Sequence, residues 1–319
     1  MGQGIAQMAA QAGSQVLLFD AATERAVQAQ QAIAAQWQKM LDKQRISPDQ
    51  HQAYLASLKT VDSLQALSAC DLVVEAVVEN TQVKQALFAQ LCEVLSGDAV
   101  LASNTSSLSI TALAAGLKRP ERFAGLHFFN PVPLMKVVEV VPGLATATAV
   151  CEKLKAYVLT MGHQAVLAQD TPGFIVNHAG RGYGTEALRI VSEGVADFAT
   201  IDRVLRDQVG FKLGPFELMD LTALDVSHPV MESIYHQYFE EPRYRPSVIT
   251  AQRFAAGWLG RKTGQGFYSY EQGKAQIPAE KITPSSTLKP PVWVSARAAR
   301  RAELLQLLKN LGATIETAA

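Results

Sequence analysis

The sequence has no excess of either charge and no long apolar run, and each absence excludes a class of protein. Lysine plus arginine and aspartate plus glutamate number 29 each, so no whole-chain charge draws the protein to nucleic acid or to an anionic membrane. No apolar run approaches the roughly 20 residues needed to span a bilayer, and the N-terminus lacks the segments of a secretory signal. We therefore predict a cytoplasmic protein that binds neither nucleic acid nor membrane.

Cysteine is also scarce, with Cys70, Cys92 and Cys151 lying far apart in the chain. Their spacing matches neither a disulfide framework nor a metal site, so we expect no metal and predict reduced core thiols. The chain is rich in apolar residues. Its 319 residues are 48% hydrophobic, which is enough for two domains with substantial cores.

Residues 125–141, GLHFFNPVPLMKVVEVV, hold the most informative polar pair. Two apolar runs flank a proline-containing turn, which predicts two short strands joined as a hairpin. His127 closes the first strand and Glu139 lies within the second, so imidazole and carboxylate can meet. An imidazole oriented by a buried carboxylate is suited to act as a general base at neutral pH. The alternative is that each is simply a satisfied polar group in a core.

The N-terminal stretch is typical of the second half of a dinucleotide-binding unit. MGQGIAQMAAQAG predicts a small-residue helix, and QVLLFD predicts a strand that ends in Asp20, where an acid can accept from ribose hydroxyls. Asp20 could equally cap the next helix. Only Gly2 can serve as the last glycine of a G-x-G-x-x-G loop, and no strand precedes it. We therefore expect that the chain has been cut at its start.

The following pattern alternates helices and strands. Residues 22–58 are predicted to be helical with a restart at Ser47-Pro48, and strands are predicted at 71–78, 99–102 and 163–167. Five small polar residues, 103–107, follow the second of these strands. In an open α/β sheet this position is the carboxyl edge, where ligands bind, although turn and cap residues have the same composition.

The second half of the chain changes character. Residues 170–266 are predicted to be mainly helical, and their apolar positions could cover a ligand cleft or pair with a second subunit. Residues 271–291, with four prolines, are predicted to be a linker, followed by a strand, a basic helix over 297–311 and a second strand. Because such a unit is too small to bury itself, we expect that the end has also been cut.

Seven motifs, in this order, make residues 1 to about 270 resemble the 3-hydroxyacyl-CoA dehydrogenase family. They are MGQGIA, VVEAVVEN, SNTSSLSI, GLHFFNPVPLMKVVEVV, DTPGFIVN, GPFELMD and RKTGQGFY. The resemblance implies a doubly wound, Rossmann-type NAD-binding domain over 1–169, an all-helical substrate and dimerisation domain over 170–270, and a further segment over 271–319. The sequence VVPGLATA and the extra C-terminal segment look most like those of the longer enzymes of phenylacetate breakdown, which oxidise 3-hydroxyadipyl-CoA.

The resemblance also implies roles for individual residues. His127 matches the family's catalytic base and Glu139 the carboxylate that pairs with it. Ser106 and Asn177 match residues near the substrate's 3-hydroxyl and thioester end. The expected substrate is an acyl-CoA, and the helical domain is expected to form a homodimer.

The cofactor expected from the resemblance is NAD. Gly2 matches the last glycine of the phosphate loop and Asp20 the acid at the adenine ribose, while Glu79, Lys84 and Asn104 match positions at the nicotinamide. An acid at position 20 favours NAD over NADP, because a carboxylate repels a 2′-phosphate.

Two departures from the family pattern and two rival functions accompany this interpretation. The first two glycines of the phosphate loop are absent, and the family's usual arginine after PGFIVN is His178 here. The rivals are a dehydrogenase of free hydroxy acids and a non-catalytic acyl-CoA-binding or structural relative. A lysine or arginine that would receive a distal carboxylate of the substrate is not evident from the sequence.

Overall fold

The computed structural model describes residues 1–280 and 291–316. The chain divides into two compact units, Met1–Gln276 and Ile277–Ala319. Residues 281–290 of the predicted linker lie outside the described residues.

The N-terminal part of the first unit alternates helices and strands, which confirms the predicted α/β class. Its elements are α1 (Gly2–Gln11), β1 (Val16–Leu18), α2 (Thr23–Asp42), α3 (Pro48–Ser57), β2 (Leu58–Thr60), β3 (Leu72–Glu75), α4 (Thr81–Val94), β4 (Val100–Ser103), α5 (Ile110–Ala114), β5 (Phe123–Phe128), β6 (Val137–Pro142), α6 (Thr148–Thr160) and β7 (Gln164–Leu167).

Five of these strands form one sheet in the order β3-β4-β5-β6-β7. Strands β3, β4 and β5 are parallel, β6 runs antiparallel to β5, and β7 is parallel to β6. Helices α1 and α6 cover one face with a core that includes Ile5 and Leu154, and α4 and α5 cover the other with a core that includes Phe88 and Leu113. The carboxyl ends of β3, β4 and β5 therefore share one edge, which is where ligands bind in open α/β sheets.

The chain then becomes helical, as predicted. Its elements are α7 (Val176–Ala179), α8 (Arg181–Ser192), α9 (Phe198–Arg203), a π-helical turn (Val204–Gln208), α10 (Pro215–Thr222), α11 (Leu224–Gln237), α12 (Val248–Ala255) and a hairpin of β8 (Ser269–Glu271) and β9 (Lys274–Gln276). Their shared core contains Leu188, Phe216 and Phe267. The second unit holds β10 (Val292–Trp293), α13 (Arg301–Asn310) and β11 (Ile315–Glu316), with β10 parallel to β11, so the predicted strand-helix-strand order is confirmed.

The GPFELMD motif owes its conformation to a buried carboxylate. Asp202 accepts from the backbone N–H of Phe216 at 2.9 Å and of Glu217 at 3.0 Å, in the first turn of α10. A Cβ on Gly214 would lie only 2.3 Å from Asp202, so glycine is required at this position. Since no side chain at 214 can cap α10, Asp202 supplies the acceptor.

Two predictions about elements were wrong. Residues 58–60 form strand β2, which pairs in parallel with β1, where the pattern predicted no strand between Asp20 and residue 71. Leu-Lys-Thr is too short to register as an alternating run, and its burial on α2 decides its conformation. Residues 271–276, predicted as linker, belong to the β8-β9 hairpin, whose turn places Gln272 and Gly273 at positive φ.

The structure also bears on the predictions about the cysteines and about membrane spans. Cys70, Cys92 and Cys151 are all free thiols; Cys151 is buried and the other two are partly buried. Burial raises the pKa of all three. Within the described ranges, no helix combines the length and apolarity needed to cross a membrane.

Candidate functional site

The hairpin of β5 and β6 brings its two polar residues together, as predicted. His127 and Glu139 are register partners in the antiparallel ladder, and Nδ1 of His127 lies 2.6 Å from Oε2 of Glu139. Both are buried, with 5% and 1% of their surface exposed. Cross-strand partners in such a ladder are the closest side-chain neighbours a sheet provides, so the register itself makes the contact.

The second carboxylate oxygen of Glu139 is held by backbone that the sequence pattern did not single out. Its Oε1 accepts from the N–H groups of Ile175 and Val176, both at 2.9 Å, at the start of α7. Burial alone would raise the pKa of Glu139, but the bonds from His127 and these two amides outweigh burial and lower it. Glu139 therefore stays ionised and can accept from Nδ1–H, and in the neutral imidazole that tautomer puts the lone pair on Nε2.

Positive backbone angles aim those amides at Glu139. Gly173 has a φ of 80° and Phe174 a φ of 49°. A Cβ on Gly173 would meet the backbone N of His178 at 3.0 Å, so the turn needs glycine for both its φ and its space. The Pro-Gly-Phe sequence of DTPGFIVN thus positions the helix start that clamps Glu139.

The Nε2 side of His127 is open for a reactant. No hydrogen bond reaches Nε2 from any residue in the described part of the chain, and Nε2 is not among the enclosed polar atoms that lack a partner. The rings of Phe129 and Phe174 flank the imidazole at centroid distances of 4.4 and 5.8 Å. One nitrogen of the imidazole is therefore held by the Glu139 carboxylate, and the ring packs against two aromatic rings. The other nitrogen is available.

Glu79 organises the polar loop over 103–107. Its Oε1 accepts from Thr105 Oγ1 at 2.6 Å, from the N–H of Ser106 at 3.0 Å, and from both N–H and Oγ of Ser107 at 3.2 and 3.0 Å. Burial raises its pKa, but these bonds and the charge of Lys84 together lower it. The serines and threonine after β4 are thus ordered by one carboxylate from the neighbouring strand's end.

Lys84 is buried under this loop. Its Nζ lies 2.6 Å from Glu75 and 3.3 Å from Glu79, and only 1% of its side chain is exposed. Glu75, at the end of β3, also accepts from Ser103 Oγ at 2.6 Å. The family resemblance matched Lys84 to a position at the nicotinamide. In the structure its ammonium lies between two carboxylates, where it supports Glu79. Glu75 was not singled out, although a carboxylate inside the apolar run LVVEAVV was a signal.

The charge on Glu79 makes the site's stability depend on pH. Because its pKa in the folded chain is lowered, Glu79 contributes stability above its unfolded pKa of about 4.5, and this is lost as the pH falls through the lower folded value. Glu79→Gln is therefore expected to melt below wild type at pH 7 and to approach it below pH 4, measured by thermal unfolding across pH. Glu93→Gln, which removes an exposed pair with Lys118, is the control. A gap that is constant with pH would contradict this assignment.

Ser106 and Asn177, predicted near the substrate, are brought together. Nδ2 of Asn177 donates to the backbone oxygen of Ser106 at 3.3 Å, and no side-chain bond occupies Ser106 Oγ among the described residues. Asn104 ties the two neighbouring strand ends, since its Oδ1 accepts from the N–H of Phe128 at 2.9 Å. Gln237 of α11 reaches the same loop and donates to the backbone oxygen of Ser107 at 2.7 Å.

A cavity of about 170 Å³ opens beside this loop. It is lined by Ser107, Leu108, Ser109, Asp170, Thr171, Pro172 and Gln237. Ser109 also caps α5, accepting from the N–H of Ala112 at 3.2 Å. The loop therefore contains both ordinary cap residues and groups that are open to a ligand.

The predicted adenine end lies at β1 and α1. Asp20 follows β1, and its Oδ1 accepts from the N–H of Ala22 at 2.9 Å, whereas its Oδ2 makes no hydrogen bond within the described residues. Gly2 begins α1, and a Cβ there would meet Ala76 at 3.7 Å, at the end of β3. Asp20 does not cap α2, whose N-cap is Ala22 without a side-chain cap bond, so the capping alternative was wrong. One oxygen of Asp20 fixes the turn before the helix, and its role at a ribose stays a prediction.

Comparison with known proteins identifies two family models along the chain. The NAD binding domain of 3-hydroxyacyl-CoA dehydrogenase matches residues 1–171, and the C-terminal domain of the same enzyme matches residues 173–270. Together they cover the predicted α/β and helical parts.

Individual relatives agree with these models. The chain is 44% identical over 286 residues to 3-hydroxyadipyl-CoA dehydrogenase of Escherichia coli K12, covering 89% of this chain and 60% of that protein. It is 39% identical to 3-hydroxybutyryl-CoA dehydrogenase of Bradyrhizobium diazoefficiens, covering 86% of this chain and 93% of that one. A crystal structure of 3-hydroxybutyryl-CoA dehydrogenase from Escherichia coli K12 superposes with a TM-score of 0.83 at 44% identity, covering 89% of this chain and 61% of that one.

Proposed function

The chain belongs to the 3-hydroxyacyl-CoA dehydrogenase family, and on that premise we propose that it oxidises the 3-hydroxyl of a (3S)-3-hydroxyacyl-CoA to the 3-oxoacyl-CoA with NAD. The observation that carries the proposal is the buried contact of His127 Nδ1 with Glu139, which leaves Nε2 without a partner among the described residues. The chain spans 60% of the length of its 3-hydroxyadipyl-CoA dehydrogenase relative.

In the proposed reaction, Nε2 of His127 takes the hydroxyl proton while the hydrogen on C3 leaves as hydride. Bound NAD supplies the hydride acceptor. The two transfers must be concerted, because neither an alkoxide nor a protonated ketone is stable in water. Base catalysis of this kind contributes roughly 10²–10⁴-fold in rate, and the negative charge of Glu139 stabilises the imidazolium that forms.

Ser106 and Asn177 hold the substrate against the base in this proposal. Ser106 Oγ has no side-chain partner in the described chain and can donate to the substrate's 3-oxygen. The amide of Asn177 already bonds the Ser106 backbone, so the two move as one unit. Such positioning matters because a reacting atom displaced by about 1 Å can cost roughly 10²-fold in rate.

The residues of this chain fit NAD at the ribose end. Asp20 would accept from the adenine ribose hydroxyls with its free Oδ2, and the amides of the first turn of α1, beginning at Gly2, would face the pyrophosphate. Glu79, with Lys84 behind it, and Asn104 would line the nicotinamide side of the sheet edge.

Asp20→Asn tests this cofactor assignment. The amide keeps the oxygen that bonds Ala22 but loses the negative charge, so the affinity for NADH is expected to fall about tenfold and the preference over NADPH to shrink. Both are measured by fluorescence titration, with the exposed Asp98→Asn as control. Tighter NADPH than NADH binding by the wild-type chain would overturn the assignment.

The proposed substrates follow the names of the relatives, namely 3-hydroxyadipyl-CoA or 3-hydroxybutyryl-CoA. We also propose a homodimer formed through the helical part, which exposes large apolar side chains at Phe211, Leu221, Val226 and Trp258. A cytoplasmic location is supported by the free state of all three cysteines.

The function is tested by the appearance of NADH absorbance when 3-hydroxybutyryl-CoA, a long-chain 3-hydroxyacyl-CoA or 3-hydroxyadipyl-CoA is added with NAD. Turnover with any of these and none with the corresponding free hydroxy acids is the expected result. Turnover of free acids alone would favour the free hydroxy acid dehydrogenase. Tight acyl-CoA binding without NADH formation would identify a non-catalytic relative.

A further inference from the structure

Arg181, at the start of α8, is a half-buried arginine whose guanidinium has no partner among the described residues. Its Nε and Nη1 are enclosed, and neither has a hydrogen-bond partner. No ion pair to Arg181 exists within residues 1–280 and 291–316 either. Burial lowers the pKa of this guanidinium, and no neighbouring carboxylate counteracts it.

Other arginines in the helical part have partners. Arg206 forms ion pairs with Asp207 and Glu217. Arg253 lies over the ring of Phe267 at 4.4 Å and donates through Nη1 to the backbone oxygen of Ile249, while its Nε is enclosed without a partner. A guanidinium removed from water without an anion is unfavourable, so such groups are normally paired. Arg181 is therefore placed as though its anion arrives with a ligand.

The position of Arg181 relates it directly to the proposed substrate site. Gly180 is the single turn residue between α7 and α8, and its N–H bonds the oxygen of Val176 at 2.8 Å, so α8 follows α7 directly. Asn177 in α7 and Arg181 at the start of α8 are four residues apart. Helical side chains lean toward the N-terminus, so the arginine stem runs back toward Asn177.

The same helix start touches the catalytic pair. The N–H of Val176 bonds Glu139, and the side chain of Asn177 bonds the Ser106 backbone. One helical turn, about 5.4 Å, separates this end from Arg181. In a six-carbon dicarboxylic chain the terminal carboxylate lies only three carbons beyond the reacting C3, a comparably short span.

We propose that Arg181 binds the terminal carboxylate of a dicarboxylic 3-hydroxyacyl-CoA and so selects a substrate such as the 3-hydroxyadipyl thioester over a monocarboxylic one. This rests on the proposed function. Guanidinium and carboxylate match in a two-pronged, charge-assisted geometry, and the enclosed Nε and Nη1 supply adjacent donors. A monocarboxylic chain would leave those donors desolvated and unpaired, and a site of this kind rejects the analogue that lacks the polar group.

Arg181→Met separates this role from others, because methionine keeps an unbranched stem and removes the charge. The substrates are 3-hydroxyadipyl-CoA and 3-hydroxyhexanoyl-CoA, which share chain length and differ in the terminal carboxylate. We expect kcat/KM for the adipyl thioester to fall about 30-fold or more in the variant, and kcat/KM for the hexanoyl thioester to stay level or rise. Arg189→Met, on the exposed side of α8 where it pairs with Glu193, is the matched control.

Two further measurements keep the outcome independent of turnover. Isothermal titration should give tighter binding of adipyl-CoA than of hexanoyl-CoA to wild type, and equal binding to Arg181→Met. Without ligand, the variant's melting temperature should equal or exceed that of wild type, because an unpaired buried charge is gone.

The contrary outcomes are distinct. Equal losses on both thioesters would place Arg181 against a CoA phosphate or in a structural role, and would overturn the proposal. A wild type without preference for the dicarboxylic chain would also overturn it. If wild type oxidised neither thioester, the proposed function would fail, whereas Arg181-dependent binding of adipyl-CoA would still support the carboxylate site.

Discussion

Replacing His127 with glutamine is expected to lower kcat by about 10²–10⁴-fold, measured as NADH formation from a 3-hydroxyacyl-CoA at saturating NAD. Glutamine fills a similar volume between Phe129 and Phe174 and can still bond Glu139, so the hairpin should persist. Its amide cannot accept a proton at neutral pH. The substrate would then have to release its proton to water while hydride leaves C3.

The control separates lost chemistry from lost structure. NADH affinity and melting temperature of His127→Gln should stay close to wild type, because the ring contacts neither Asp20 nor α1 in the described structure. His236→Gln, which alters an exposed histidine paired with Glu240, should leave kcat unchanged. Near-wild-type turnover in His127→Gln would remove this residue from the mechanism.

Short-range signals in the sequence predicted the elements that build this site. The hairpin follows from two apolar runs around prolines, and with the strands in register the period of two puts His127 opposite Glu139. The restart of α3 follows from Ser47, whose Oγ accepts from the N–H of Gln50 at 3.1 Å. In each case the residues that determine the contact lie within about twenty positions of one another.

The contacts that the sequence did not predict depend on residues that lie far apart in the chain. The amides of Ile175 and Val176 reach Glu139 from 36 and 37 residues away, and no side-chain identity encodes a backbone donor. Glu79 was matched as a cofactor residue, but its four bonds to the 103–107 loop come from the adjacency of β3 and β4. Arg181 appeared as an ordinary charged residue in a helical run, and only its two enclosed nitrogens without partners distinguish it.

These long-range contacts make Glu139 more than an electrostatic neighbour of the base. It receives three donors at once, namely His127 Nδ1–H and the two backbone amides, and a carboxylate is the side chain of that length that accepts all three. An amide at this position has one accepting and one donating end. If the oxygen faced α7, the amide nitrogen would donate to Nδ1 and move the imidazole proton to Nε2; if it faced His127, the backbone amides would lose their acceptor.

Glu139→Gln is therefore expected to lower kcat by about 10²–10⁴-fold, comparable to the loss expected from removing the base itself. The reason is that the arrangement with the amide oxygen toward α7 puts the imidazole proton on Nε2, the nitrogen that must accept one. With that arrangement the fold keeps its α7 contacts, so the melting temperature should fall little. Steady-state NADH formation and thermal unfolding measure the two effects, with the exposed Glu152→Gln as control. A large drop in melting temperature with kcat retained in the folded fraction would instead mean that Glu139 only anchors α7, and that His127 keeps its tautomer without it.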